Sequence, residues 1–557
     1  MSKDIPQVGP LLRGWISLSR RFNTRYQIIT RSDQSIDPAL RTIFVLTQER
    51  LLEREDISKI DLFVIDEFYK LNADPTSSRS KALNIAFQRY RPHAKQVFLL
   101  GPNVKATIPK DVFDCVIIDS DNVTVATEMH DHRGTRSKRK TLHQLLESVP
   151  GRKSLIFCKS PASARKVAQR LIEDGFSAPT SDAKHFSEWL KENYHPEWSL
   201  PVALQSGIGI HHGAVPRSIG QRVLRLFNET DLSVLICTST LIEGVNTKAE
   251  NIFIYDKKIE NRNFDFFSYQ NIKGRAGRFG SYLIGHIFLF EDPPEQEQYL
   301  LEIPSLTREA DVSDEFIIGF DGFGRSDGFQ ARHDAILEDI NLSAELISAL
   351  ATFQIQDIKS AAEIIEAEVK KNNPLLFWSG RTEYHHLAAT LNLTWQLFAR
   401  KSGIVSGNQA AFYSSRLLQS HGNIRQFLER LTQDKTAEEL QIELEKAFRS
   451  IRAIEFFVPD VLRATELIVN YFCQKYKLEP VEYMTMARMV ESYFLPPNVK
   501  ALEEIGVPTP IGIKLIELVG PDHTLDEVLR IAASLKAEEL LRAGIVPYEQ
   551  ELLRSAL

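Results

Sequence analysis

The chain has 557 residues, 43% of them apolar and 25% charged, with a net charge of −6. This is ordinary globular composition, long enough for roughly three or four domains of ~150 residues. It is not a polycation, so any nucleic acid must be held by local basic clefts rather than by the overall field. Four scattered cysteines (Cys115, Cys158, Cys237, Cys473) form no Cys-x-x-Cys pair, which argues against a zinc site or disulfide framework and for a reducing compartment. The N-terminus lacks an apolar core of signal-peptide length, and no run approaches ~18 apolar residues. The expectation is a cytoplasmic protein with no membrane partner.

From about residue 40 to 120, short apolar runs at 42–46, 62–65, 97–100 and 116–118 alternate with polar, helix-forming stretches. Near-continuous hydrophobic strands are expected where both faces of a parallel sheet are covered. Residues 129–143 are polar and basic and read as a connection between domains. A second α/β block follows, with strands predicted at 154–158, 234–237, 252–255 and 286–290 and a helix at 162–172. Beyond residue 294 strands largely cease, and 335–557 reads mostly as amphipathic helix, as at 437–448 and 464–476. The predicted domains are residues 1–128, a basic linker 129–150, a second α/β domain 151–295, and a helical region 296–557.

Three segments carry chemistry. Asp66-Glu67 closes the apolar run 62–65, which puts both carboxylates at the C-terminal edge of a sheet, where such folds bind ligands. One acid can hold Mg²⁺ through water while its neighbour orients and deprotonates an attacking water. Thr238-Ser239-Thr240 opens a segment that continues to Gly244-Val245-Asn246. Short hydroxyls and backbone amides at a strand end can bind backbone phosphates without reading bases. Downstream, Asn271 leads into Gly274-Arg275-Ala276-Gly277-Arg278. Two arginines three residues apart on a Gly-rich turn can reach a phosphate chain from outside its own binding domain. His211-His212 suggests a metal at first sight, but neighbouring side chains on a strand face opposite ways, and no carboxylate or thiol accompanies them at metal-site spacing.

In order and wording these segments resemble superfamily 2 helicases, the Ski-type branch in particular, to which His211-His212-Gly213-Ala214-Val215-Pro216 is also close. The resemblance implies an α/β fold with two RecA-like parallel-sheet domains, the first truncated, followed by a mostly α-helical C-terminal region. It implies ATP and Mg²⁺ as ligands and single-stranded or partly duplex nucleic acid as partner. Asp66 (also the magnesium residue, via water), Glu67, Arg275 and Arg278 would be catalytic. Gly244, Asn246 and Asn271 would approach the nucleotide, Asn271 standing where the family usually has Gln. Thr238 and Thr240 would lie on the nucleic acid. Lys159, in a strand-to-helix segment like the family's fourth motif, would do so too, as would Thr47, in a Thr-Gln-Glu that resembles the family's Thr-Pro-Glu. Thr47 reads equally as a helix N-cap.

The chain departs from the pattern in three further places. Phe68-Tyr69 follows the acid pair where the family usually has Ala-Asp or x-His, and Gly101-Pro102-Asn103 stands where it has Ser-Ala-Thr. No Gly-x-x-x-x-Gly-Lys-Ser/Thr occurs in the 557 residues, although that loop normally supplies backbone N–H groups and a Lys to the phosphates. Only 65 residues precede Asp66, so the resemblance places the first strand, its loop and the next helix outside this chain. A second polypeptide, or an upstream start, would supply them. Two functions follow: an ATP-dependent helicase or translocase, inactive as the isolated chain, or a catalytically inactive helicase-like module that binds nucleic acid or a partner. The basic run 133–140 and Lys257-Lys258 read as solvated surface or backbone contacts. The Gly-containing segment 502–515 reads as an ordinary helix connection or a faint helix-hairpin-helix.

Overall fold

The protein is described here from a computed structural model covering residues 26–557, apart from 31, 33, 75–76, 102–104, 107–113, 119–125, 240–246, 260–261, 278–283, 296–299 and 321–325. Its centre is a six-stranded, all-parallel sheet. In spatial order the strands are Ala126–Asp131, Ile284–Leu289, Asn251–Ile254, Ser154–Phe157, Val234–Cys237 and Ile208–His211. The four strands from Asn251–Ile254 outward are buried at every residue. Helices such as Pro161–Glu173 and Arg217–Glu229 pack against them, which is why these strands read as unbroken apolar runs. Residues 129–150, read as a linker, instead contain the end of the edge strand Ala126–Asp131 and the helix Lys138–Ser148. Polarity misled there because an edge strand has one open side and tolerates charge.

The N-terminal α/β portion holds two separate parallel pairs among the described residues: Tyr26–Ile29 with Arg41–Phe44, and Ile60–Asp66 with Ala94–Leu100. In the second pair, alternate residues face opposite ways. Ile65, Phe63, Val97 and Leu99 pack over Phe87 of the helix Ser78–Tyr90. Leu62, Val64, Phe98 and Leu100 point the other way and are 46–52% exposed. This face is as apolar as the covered one. The run at 116–118, predicted as a strand, forms none, and Val116, Ile117 and Ile118 are exposed. Apolarity alone does not make a strand without a neighbouring strand to pair with.

The C-terminal region is helical. The two amphipathic stretches at 437–448 and 464–476 are ends of one 40-residue helix, Ala437–Tyr476, which runs through Pro459. Proline inside a helix costs ~3 kcal/mol. Here Val458, Val461 and Leu462 are fully buried on either side of it, and their burial outweighs that cost. The helix is bolted to the central domain by the buried pair Arg165–Glu445, at 2.8 Å, and by Arg452 donating to the Gly213 carbonyl. At the far end of the chain Glu549 accepts from the Trp189 indole at 3.0 Å and pairs with Lys514 at 2.7 Å. Residues 502–515 belong to the helices Pro497–Ile505 and Thr509–Val519, joined through Gly506 at φ +107°. Among the described residues no helix is long and apolar enough to cross a membrane.

Candidate functional site

The acid pair sits where strand Ile60–Asp66 ends. Asp66 is exposed, and its carboxylate accepts the Glu67 backbone N–H at 3.0 Å. Glu67 takes a left-handed backbone, φ +58° and ψ +46°, so the chain turns sharply into a short 3₁₀ helix, Phe68–Leu71. For a residue other than Gly, Asn or Asp that conformation is uncommon and strained, of the order of 1–3 kcal/mol. The Glu67 carboxylate pairs with Lys70 at 2.6 Å.

Facing this strand end is the arginine turn. Helix Phe266–Lys273, capped by Asp265 accepting from the Ser268 N–H at 2.6 Å, delivers Gly274 and Arg275. Gly277 has φ +72°, and its N–H reaches the Ala249 carbonyl at 2.8 Å. A side chain at Gly285 would meet the Ala276–Gly277 backbone at 2.6–2.8 Å, so this glycine lets the turn lie directly on strand Ile284–Leu289. Tyr69 and Phe267 join the two halves. Their ring centroids are 4.6 Å apart at 65°, an edge-on contact inside the small core of Ile65, Leu71 and Phe87. Phe267 gave no signal in the sequence because its partner is 198 residues away, at Tyr69.

Asp66, Glu67 and Arg275 line one cavity of about 4000 Å³. Thr47 lines it too, and also serves as N-cap of helix Gln48–Leu52, accepting from the Arg50 N–H at 3.5 Å. Asn271 is half-buried on helix Phe266–Lys273, outside the cavity lining. Lys159 is exposed just past the end of strand Ser154–Phe157, its N–H bonded to Asp256 at 2.9 Å. Thr238 is buried, its N–H bonded to the His211 carbonyl at 3.3 Å. Thr240, Gly244, Asn246 and Arg278 lie outside the described residues, as do Pro102 and Asn103.

A basic stretch of the cavity lining was missed in the sequence. Lys446, Arg449 and Arg452 follow one another at three-residue spacing on helix Ala437–Tyr476 and line the cavity together with Arg463. The i, i+3 pattern was visible, since such residues share a helix face. Which face turns inward was not.

His211 and His212 are buried structural residues. The His211 ring sits against Gly220, where a Cβ would lie 2.9 Å from Nε2, and His212 Nδ1 accepts the Ala214 N–H at 3.3 Å. Burial, helped by Arg452, pushes the His211 pKa down to about 4. Burial, then His211, Arg449 and Arg452, push His212 down to about 3. In the unfolded chain both take up a proton near pH ~6.5, whereas in the folded chain they remain neutral well below that. Stability therefore falls on acidification below pH ~6.5, by roughly 1.4 kcal/mol per pH unit for each histidine. Replacing His212→Gln should flatten that loss by one histidine's share, read from urea midpoints at about pH 7.5 and 5.5. An unchanged slope would refute the assignment.

Residues 137–280 match the helicase conserved C-terminal domain. The chain is 31% identical over 577 residues to Anti-bacteriophage protein B of Escherichia coli (strain K12), covering 97% of this chain and 77% of that protein. It is 26% identical over 261 residues to the ATP-dependent DNA helicase MER3 homolog of Oryza sativa subsp. japonica, covering 40% of this chain and 21% of that protein. The solved structure of S. cerevisiae Dbp5 bound to RNA and ADP BeF3 covers 48% of this chain and 64% of its own at 18% identity and a TM-score of 0.33. With similarity running along almost its whole length, the chain belongs to the family of Anti-bacteriophage protein B, helicase-like proteins of superfamily 2.

Proposed function

We propose that this chain is the larger part of an ATP-dependent superfamily 2 helicase or translocase of the Ski type, with hydrolysis between the Asp66–Glu67 strand end and the Arg275–Arg278 turn. The observation that carries the reading is the cavity that Asp66, Glu67 and Arg275 line together from two different α/β units. Arginine supplied across such a gap stabilises phosphoryl charge only when both units close. Asp66 would hold magnesium through water, a fit supported by its exposed, hard carboxylate oxygens. Bound there, the metal would neutralise charge on the phosphates. Glu67 would orient the attacking water once released from Lys70, and Gly244, Asn246 and Asn271 would approach the nucleotide.

At about 4000 Å³ the cavity is several times the ~300–1,000 Å³ of a small-ligand site. That supports two further occupants. One is a segment carrying the phosphate-binding loop, from upstream or from a second polypeptide, seated on the apolar face of Leu62, Val64, Phe98 and Leu100. The other is a nucleic-acid strand along Lys446, Arg449, Arg463 and Thr47, which line the cavity; Thr238, Thr240 and Lys159 would be backbone contacts reached beyond it. The 31% identity to a protein named for acting against bacteriophage supports a role in phage defence.

The test is single-strand-stimulated ATP hydrolysis by the chain alone and by the chain joined to, or mixed with, a phosphate-loop segment. Turnover only in the completed form supports the reading. A completed form that binds single strands without turnover favours the second reading, a helicase-like binding module, for which the missing Gly-x-x-x-x-Gly-Lys-Ser/Thr speaks.

A further inference from the structure

A cluster far from the acid pair in sequence, and outside the cavity lining, has the makings of a metal site. Strands Ala126–Asp131 and Ile284–Leu289 pair in parallel with Glu128 directly opposite His286 and His130 opposite Phe288. Side chains two apart on a strand share a face, so Glu128, His130 and His286 emerge on the same side. They converge there. His130 Nε2 lies 3.1 Å from His286 Nδ1, His286 Nδ1 lies 3.5 Å from a Glu128 carboxylate oxygen, and the three ligand atoms are all within 4.8 Å of one another. The His130 ring stacks on Phe288 at 4.6 Å and 18°, which fixes its orientation, and Phe288 stacks in turn on Phe253 in the sheet interior.

We propose that Glu128, His130 and His286 bind a divalent first-row transition-metal ion of the zinc type. Two imidazoles and one carboxylate are a ligand set that zinc accepts, with a further position left for water. Zn–N and Zn–O bonds of ~2.0–2.2 Å at tetrahedral angles put neighbouring ligand atoms about 3.3–3.5 Å apart, close to the two separations seen here. The donor set also suits cobalt and nickel, whereas two imidazoles disfavour magnesium and calcium. One proton shared between the histidines satisfies a single lone pair; a divalent ion satisfies one from each of the three residues. The site would clamp the edge strand Ala126–Asp131 to the body of the sheet. Among the described residues this edge strand is paired with another strand on one side alone.

The test is titration of the chelator-treated chain with Zn²⁺ by calorimetry and with Co²⁺ by visible absorption. The expected result is one equivalent bound, a d–d band of imidazole-ligated cobalt, and a melting temperature raised by about 5 °C at a hundredfold excess over Kd. His286→Ala and His130→Ala should weaken binding at least ~100-fold, and the exposed Glu128→Gln, which leaves the fold undisturbed, should weaken it ~10-fold or more. The His385–His386 pair beside Glu383, with His385 exposed and His386 half-buried, is the control, and its double alanine variant should bind as before. No binding by the unaltered chain, or binding that survives Glu128→Gln and His286→Ala unchanged, overturns the proposal. If His286→Ala fails to fold, the Glu128→Gln titration decides alone.

Discussion

Glu67→Gln should abolish single-strand-stimulated ATP turnover in the completed enzyme, lowering kcat by about 10³-fold while leaving the chain folded. The carboxylate is the group that would orient and deprotonate the attacking water, a role whose removal costs ~10²–10⁴. Gln keeps the length and hydrogen bonding of the side chain but cannot take the proton. The substitution also removes the ion pair with Lys70, at 2.6 Å, which is a partly exposed i, i+3 pair. Such pairs contribute ~0–1 kcal/mol, too little to unfold anything. Arg275→Ala should cost a similar factor or more, ~10³–10⁵, because a guanidinium acting on transferring phosphate is electrostatic and has no substitute in alanine. The measurement is steady-state ATP hydrolysis with and without single-stranded nucleic acid. Turnover within a few-fold of the unaltered protein in either variant would remove the catalytic reading and leave the binding module.

Tyr69→Ala should destabilise the N-terminal α/β portion by about 3 kcal/mol and uncouple it from the arginine turn. The ring is buried against Phe267 in a core of few residues, and aromatic-to-alanine changes in cores cost ~3–5 kcal/mol through lost transfer energy and the cavity left behind. The more discriminating form is a double-mutant cycle with Tyr69→Leu and Phe267→Leu. A coupling energy of ~0.5–1.5 kcal/mol is expected for an edge-on aromatic pair, together with a stimulated kcat that falls more than basal kcat. Denaturant melts and ATP hydrolysis read the two effects separately. A coupling energy of zero, with stimulation intact, would mean that the contact fills space and does not communicate. In the sequence, Phe68-Tyr69 looked like a defect because the family's polar residue is absent; in the fold, an aromatic contact to the arginine-bearing helix occupies that position.

What could be read from the sequence was whatever is written locally. The strands Ser154–Phe157, Val234–Cys237 and Asn251–Ile254 announced a doubly covered parallel sheet because burial on both faces leaves no polar alternation. Asp66-Glu67 and Gly274–Gly277 stood out as candidate site segments because a strand-end acid pair and a Gly-Arg turn are each contiguous, and Asp66, Glu67 and Arg275 do line one cavity. Even Thr47's capping role follows from its own three neighbours. The tertiary structure decided the rest, and in each instance the deciding partner is distant in the chain. Helix Arg217–Glu229 begins at Pro216 with no side-chain cap of its own, and Glu503 supplies one, accepting the Ser218 N–H at 3.0 Å. Residues 129–131 became an edge strand through pairing with Ile287–Leu289 rather than through their own polarity. Glu128, His130 and His286 became neighbours by strand register, and Lys446, Arg449 and Arg452 became a cavity wall by the way one helix docks. Periodicity specifies which residues share a face of an element; only packing against the rest of the chain specifies what that face meets.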